Sequence, residues 1–285
     1  MSMFYIQHFL DSLFDNPDRS PGAVAARVQP TYQETAGIGK ANLEHDISAT
    51  PDTRFHLASL AKQFTGFLVA EALADGLCDL SDPIGRYIQE LTSPTADCTI
   101  RQLLFHTSGI RDNWILGNLA GLHDGDPIKT SDALRWITAQ DHLNFAPGTQ
   151  FQYCNSGYVL LGLMLEAIHD RSFAEIAQTK VFEPLLMTST RFVTDPFELV
   201  PNRATGYRPI ESGYVIDDPK YGVIGATCLQ STANDMSRWL NVPLGDPFFN
   251  KPASVGYFDP GMLDDVTSIP YGFGLLHRKI QGEQF

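Results

Sequence analysis

The sequence is 285 residues long, 43% apolar and 19% charged, which supplies a large core and excludes a disordered chain. A formal net charge of −13 with no cluster of Lys and Arg argues against a nucleic-acid partner. No apolar run reaches the roughly 18 residues that span a bilayer, since the longest, 158–167, contains Gly162 and Glu166.

Residues 1–14 place Phe4, Tyr5, Ile6, Phe9, Leu10, Leu13 and Phe14 at helical spacing. They lack the basic start and small-residue cleavage site of a signal peptide, so a cytoplasmic chain is expected, or a periplasmic one if a signal precedes this sequence. Residues 22–28, rich in Ala and Val, predict a strand; Pro30 marks a turn, and 32–38 returns as a hairpin. A polar loop over 39–53 then leads into 55–58. From Ser59 to Asp75 the apolar spacing predicts a long buried helix stopped by Gly76, with Ser59 at its N-terminus.

Helical segments alternate with Pro/Gly loops over 83–89, 99–106, 131–139 and 155–169, followed by a helix over 173–181. A loop-rich stretch holding Pro184, Pro196, Pro201, Pro209 and Pro219 precedes a last helix over 232–240, and the sheet resumes only with 271–279. The pattern predicts an α/β fold: a sheet domain from 1–76 and 220–285, interrupted by a helical domain at 77–219, with a cleft between the layers. Cys78, Cys98, Cys154 and Cys228 lie far apart and form no CxxC pair, so reduced thiols are expected. The eight histidines show no ligand spacing; His45, His123 and His142 fall in polar loops, and neither metal nor cofactor is expected.

Ser59 and Lys62 stand three apart on the predicted helix, on one face and within reach of each other. A serine hydroxyl needs a neighbouring base, and a desolvated lysine with a lowered pKa can serve. The helix N-terminus adds a positive field for a developing oxyanion. Tyr153 and Asn155 follow the loop 145–148 where the helix 155–169 begins. A cation beside Tyr153 favours its phenolate, so the tyrosine can shuttle protons, and Asn155 can orient both the lysine and a substrate amide. Singly these residues are more often structural, Tyr153 packing a turn and Asn155 capping a helix, and Ser-x-x-Lys arises by composition roughly once in such a chain. Together they form a constellation.

The order Ser59-Leu60-Ala61-Lys62, Leu104-Phe105-His106-Thr107-Ser108-Gly109, Pro147-Gly148 and Tyr153-Cys154-Asn155 resembles the class C β-lactamase-related family of serine β-lactamases and penicillin-binding proteins. Ala204-Thr205-Gly206-Tyr207, Gly225-Ala226, the run 229–236 and Tyr271-Gly272-Phe273-Gly274 extend the similarity from about Pro21 to Gly274. The resemblance implies a β-lactamase-like fold, a mainly antiparallel sheet flanked by helices with an all-helical insertion. It also implies Ser59 as acylated nucleophile, Lys62 and Tyr153 as general base and acid, and Asn155 as a substrate-positioning residue. The substrates it implies are small esters, D-amino-acid peptides or β-lactams, with esters and D-peptides ranked first; it implies no particular oligomeric state. Residues 106–109 read as a structural turn, Ser108 lacks the Gly-x-Ser-x-Gly surroundings of a nucleophile, and no Ser-Asp-Asn triplet points to class A.

One part of the pattern is missing. The family's Lys-Thr-Gly or His-x-Gly strand is expected shortly after 275–280, and the sequence stops at Phe285, so the C-terminal strands are expected to be cut away from a longer enzyme. The alternative is a non-catalytic binding module that keeps the fold. Lys129-Thr130-Ser131 is a decoy for that triplet, with Ser131 expected to cap a helix over 132–139.

Overall fold

The computed structural model describes residues 5–29, 31–123, 125–242, 246–280 and 283–284. Phe4 and the turn residue Pro30 lie outside the described residues.

Helix α1 (Tyr5–Asp11) lies against the antiparallel pair β1 (Ala23–Gln29) and β2 (Tyr32–Ile38), whose register runs from Ala23 opposite Ile38 to Gln29 opposite Tyr32. The opening apolar stripe explains the contact, because Ile6 and Leu10 bury against Ala36 and Ile38. Strands β3 (Lys40–Asn42) and β4 (Ile47–Ser48) pair next. Then β5 (Phe55–His56) passes through a 3-10 turn, Ala58–Leu60, into α2 (Ala61–Ala74).

Every residue of α2 from 61 to 70 is buried, Lys62, Gln63 and Thr65 included, so the helix runs through the middle of the fold with its few polar side chains enclosed. It ends where the sequence predicts. Gly76, at φ 68°, donates to Leu73 O at 3.0 Å and Leu77 donates to Ala72 O at 2.9 Å, a paired closure that satisfies two of the last carbonyls.

The middle of the chain holds α3 (Ile100–Leu104), α4 (Asn113–Leu119), the short strand β6 (Ile128–Lys129), α5 (Thr130–Thr138), α6 (Asn155–His169) and α7 (Phe173–Ala177), the last prolonged by a π turn over Gln178–Phe182. The stretch 83–89 is a single 3-10 turn, Ile84–Arg86, instead of the expected helix. Helix α5 begins at Thr130, so Ser131 sits inside the first turn and does not cap it; Asp132 reaches back to accept from the Lys129 N–H at 3.0 Å. The expected cap was misplaced because the capping side chain stands two residues inside the helix.

The sheet resumes well before 271. After β7 (Arg191–Phe192), β8 (Tyr207–Ile210), β9 (Gly213–Ile216) and β10 (Tyr221–Gly222) comes β11 (Leu229–Ser231), the central strand of an antiparallel three-stranded sheet ordered β5, β11, β7. A buried strand of three residues shows no alternation to read, which hid it. The proline-rich stretch likewise contains the β8–β9 hairpin, and β10 pairs parallel with β6.

Helix α8 (Ala233–Leu240) is capped by Thr232 Oγ1, which accepts from the Asp235 N–H at 3.1 Å. The unforeseen α9 (Pro247–Ser254) carries Pro252 inside it and Pro247 in its first turn, which mask a helix in sequence. Its Phe249 packs with Tyr257 around Phe67 of α2. Finally β12 (Tyr271–Gly272) and β13 (Leu275–Leu276) form a tight antiparallel hairpin, and β14 (Lys279–Ile280) pairs with β15 (Glu283–Gln284). The first hairpin's turn presses on α2 at Gly66, where a Cβ would stand 1.9 Å from Phe273 O. Among the described residues no helix is long and apolar enough to cross a membrane.

Candidate active site

The turn from β5 into α2 carries the serine. Ala58 adopts φ 44°, a left-handed conformation that costs a non-glycine residue about 1–2 kcal/mol. The Leu57 N–H is held by Leu229 O at 2.9 Å, so the strand stays in the sheet while the chain reverses at Ala58. Ser59 therefore stands exposed at the head of α2, and Lys62 comes round one turn later with no exposed surface.

Lys62 Nζ has three near partners. It lies 3.1 Å from Ser59 Oγ and donates to Asn155 Oδ1 at 2.8 Å and to Ala226 O at 2.9 Å. Tyr153 Oη donates to the same Ser59 Oγ at 2.8 Å. The structure thus brings together all four site residues expected from sequence: Ser59, Lys62, Tyr153 and Asn155.

Tyr153 and Asn155 are delivered by the loop that leads into α6, and residues 106–109 fasten that loop. His106 O accepts from the Gln152 N–H at 2.9 Å, Thr107 O accepts from the Gly148 N–H at 2.8 Å, and His106 Nδ1 accepts from the Cys154 N–H at 3.1 Å. Gly109, at φ 72°, allows the close approach, since a Cβ there would meet Phe145 O at 2.3 Å. Ser108 is buried and its Oγ accepts from the Ile110 N–H at 3.3 Å, the part of a turn residue. Burial and the nearby Lys62 both push the His106 imidazole well below its usual range, so the ring is neutral, with its proton on Nε2. That ring lies 4.5 Å from both the Tyr153 and Tyr271 ring centroids and backs the tyrosine.

Electrostatics separate the two proton-handling groups. Loss of water around Lys62 lowers its amine to about 7, against the opposing pull of Asp112. For Tyr153 burial dominates and raises the phenol above its ordinary value, outweighing the hydrogen bond to Ser59. This corrects the expectation that a lysine cation eases the phenol's proton loss: the amine is the group brought toward neutrality. Cys154 is buried and donates to Ile110 O at 3.2 Å, and burial pushes its thiol up to about 12, so it is a packing residue. The four cysteines are free thiols.

Beside Ser59 opens a cavity of about 270 Å³ whose walls include His56, Trp114, Tyr221 and Val223. Trp114 and Tyr221 meet edge to face at 4.4 Å, and burial lowers the His56 pKa, so this wall is aromatic and uncharged at neutral pH. Among the described residues no group of His, Cys, Asp or Glu is arranged to hold a metal ion.

The family model described as Beta-lactamase matches residues 10–278. The chain belongs to the Beta-lactamase family. The chain is similar to a D-aminopeptidase of Gluconobacter oxydans (strain 621H), 30% identical over 272 residues that cover 93% of this chain and 51% of the relative. A beta-lactamase of Escherichia coli (strain K12) is 33% identical over 225 residues, covering 77% of this chain and 55% of that protein. The chain thus spans about half the length of these two relatives. Among solved structures, an octameric penicillin-binding protein homologue from Pyrococcus abyssi superposes with a TM-score of 0.80 at 22% identity, covering 100% of this chain and 67% of the other. A D-amino acid amidase from Ochrobactrum anthropi SV3 complexed with D-phenylalanine gives 0.77 at 22%, covering 98% and 82%. These likenesses establish the β-lactamase-like α/β fold.

Sequence reasoning missed three contributors to this site. Ala226 O, in the Gly225-Ala226 pair, holds the lysine through its backbone, which no side-chain pattern reveals. Trp114 lines the cavity from α4, a helix that the apolar spacing did not announce. Asp112 caps that helix and also contacts Asn155; the signal for it was Asp followed by the short run 113–119, an N-cap in front of a helix.

Proposed function

We propose that this chain is a serine hydrolase that works through a covalent acyl-enzyme on Ser59. The observation that carries the reading is the meeting of Lys62 Nζ and Tyr153 Oη at one Ser59 Oγ, at 3.1 and 2.8 Å. A neutral Lys62 has two N–H bonds, engaged by Asn155 Oδ1 and Ala226 O, so its lone pair is left for the Ser59 hydroxyl. Lys62 takes the serine proton as Oγ bonds to the substrate carbonyl carbon, and the carbonyl π pair moves onto oxygen. The Ser59 N–H at the head of α2 is one donor to that oxyanion. The C–O or C–N bond of the leaving group then breaks, and Tyr153, kept protonated by burial, gives it a proton and is replenished from Lys62. In the second half, water entering beside Tyr153 loses its proton to the same pair as its oxygen bonds to the acyl carbon; the Ser59 Oγ–acyl bond then breaks, Oγ takes that proton back, and the acid leaves.

The substrate is a small ester or a D-amino-acid peptide ahead of a β-lactam. Support for an acyl group that is uncharged and apolar comes from the aromatic wall of His56, Trp114 and Tyr221 and from a cavity of about 270 Å³, the size of one side chain or small acyl group. The test is turnover of p-nitrophenyl acetate and butyrate, a D-alanyl anilide and nitrocefin by the wild type and by Ser59→Ala. The expected result is a burst of nitrophenol with the esters that the variant lacks; equal rates in both proteins would remove the proposal.

A further inference from the structure

Asp112 occupies a position that the scheme above does not use. It sits between two helices and accepts from both. Its Oδ1 takes the N–H groups of Trp114 at 2.9 Å and Ile115 at 3.4 Å, which starts α4. Its Oδ2 takes the Asn155 N–H at 2.5 Å and the Asn155 Nδ2 at 3.0 Å, which starts α6. The second pair fixes which way the Asn155 carboxamide faces. With Nδ2 committed to the carboxylate, only Oδ1 is left toward Lys62, and it accepts from Nζ at 2.8 Å. Turned over, the amide would set oxygen against carboxylate, a repulsive contact, and would turn its NH2 to the amine, where it takes up the lone pair that Ser59 needs and leaves a Lys62 N–H without its acceptor.

We infer that Asp112 is the positioning residue of the site: through Asn155 it aims the Lys62 lone pair at Ser59 Oγ. The inference rests on the proposed roles of Ser59 and Lys62 and adds to them a residue that touches neither substrate nor nucleophile. The groups facing Lys62 from the surrounding elements are the phenols of Tyr153 and Tyr158, with ring centroids 4.9 and 5.8 Å from Nζ, the Cys154 thiol, the His106 imidazole and Asp112. Burial keeps the phenols and the thiol protonated and the imidazole neutral. Asp112 is left as the anion among them, and it holds the amine's proton on against desolvation.

The test uses Asp112→Asn, because asparagine is as good a helix N-cap as aspartate and preserves the start of α4. Its NH2 then faces Asn155, whose amide turns over and presents Nδ2 to the amine. Two readouts separate this inference from the proposed function. The first is the pH titration of Lys62 followed by the 13Cε chemical shift, which needs no turnover; in Asp112→Asn the midpoint falls by about one unit. The second is the kcat/KM–pH profile for a p-nitrophenyl ester. Asp112→Asn loses about 100-fold with its melting temperature retained, the double variant Asp112→Asn/Asn155→Ala is no slower than Asn155→Ala, and Asp112→Asn/Asn155→Asp recovers part of the rate with its acidic limb moved to higher pH. An unmoved Lys62 midpoint in Asp112→Asn, or losses that multiply in the double variant, overturns the inference. Ester hydrolysis that survives Ser59→Ala overturns the proposed function instead, and the titration still reads Asp112.

Discussion

Lys62 Nζ lies 4.9 Å from the centroid of the Tyr153 ring, yet the polar ends of both residues meet at a third atom, Ser59 Oγ. The amine approaches from inside the fold, fully buried, while the phenol approaches from the surface, its residue 41% exposed. One group is therefore sheltered enough to lose its charge and the other is placed to meet a leaving group. Removing only the hydroxyl tests that division. Tyr153→Phe keeps the ring against His106 and Tyr271 and is expected to lower kcat/KM by about 100- to 10,000-fold with little change in melting temperature, read by steady-state kinetics and calorimetry.

The depressed pKa of Lys62 makes a signed prediction for rate. With the amine at about 7, kcat/KM falls tenfold per unit as pH drops below that value, because the protonated form has no lone pair for Ser59. A pH profile flat from 5 to 8 would contradict it.

The same shift acts on stability. In the unfolded chain Lys62 titrates near its ordinary 10.5, so between about 7 and 10.5 the unfolded state binds more protons. Stability from this residue accordingly rises with pH across that window, at up to about 1.4 kcal/mol per unit, and is lowest below 7. Urea unfolding of wild type and Lys62→Met at pH 6, 7.5 and 9 reads it: the difference between the two proteins changes in the variant's disfavour as pH rises.

Gly66 and the turn at Phe273 form the seam between α2 and the β12–β13 hairpin. Gly66→Ala would put a Cβ 1.9 Å from Phe273 O, and the backbone must give way. The variant is expected to lose at least about 1–3 kcal/mol of stability and to be slower as well, since Lys62 lies one turn away on the same helix. Thermal melting and ester hydrolysis on the same sample check both.

The aromatic wall predicts specificity. Trp114→Ala removes the ring that meets Tyr221 edge to face and should raise the relative kcat/KM for longer acyl chains while lowering it for acetate, by about tenfold in the ratio. Competition between p-nitrophenyl acetate and octanoate gives that ratio directly.

Much of the site was legible because its chemistry is local. Ser59 and Lys62 share one helix face, and Tyr153 and Asn155 share one loop-helix junction, so periodicity and capping bring each pair together before any tertiary contact is known. The contributors that escaped notice act across the chain: Ala226 O reaches Lys62 from 164 residues away, and Asp112 reaches Asn155 across 43. The fold shows the same division. The hairpin at 23–38 follows from an Ala- and Val-rich run before a turn proline, and the ends of α2 and α6 from Gly76 and the apolar run, whereas β11 is too short to show a period and α9 is masked by its prolines. The reversed pKa order of Lys62 and Tyr153 depends on how much water each loses, which only packing decides.

The central claim is a nucleophile at residue 59 that is switched on by its two neighbours. Intact-mass and peptide mapping after brief exposure to a fluorophosphonate reads it at once. One adduct is expected, on the peptide carrying Ser59, absent from Ser59→Ala and strongly slowed in Lys62→Met. An adduct elsewhere in the wild type, or one that forms equally fast in Ser59→Ala, would contradict the account.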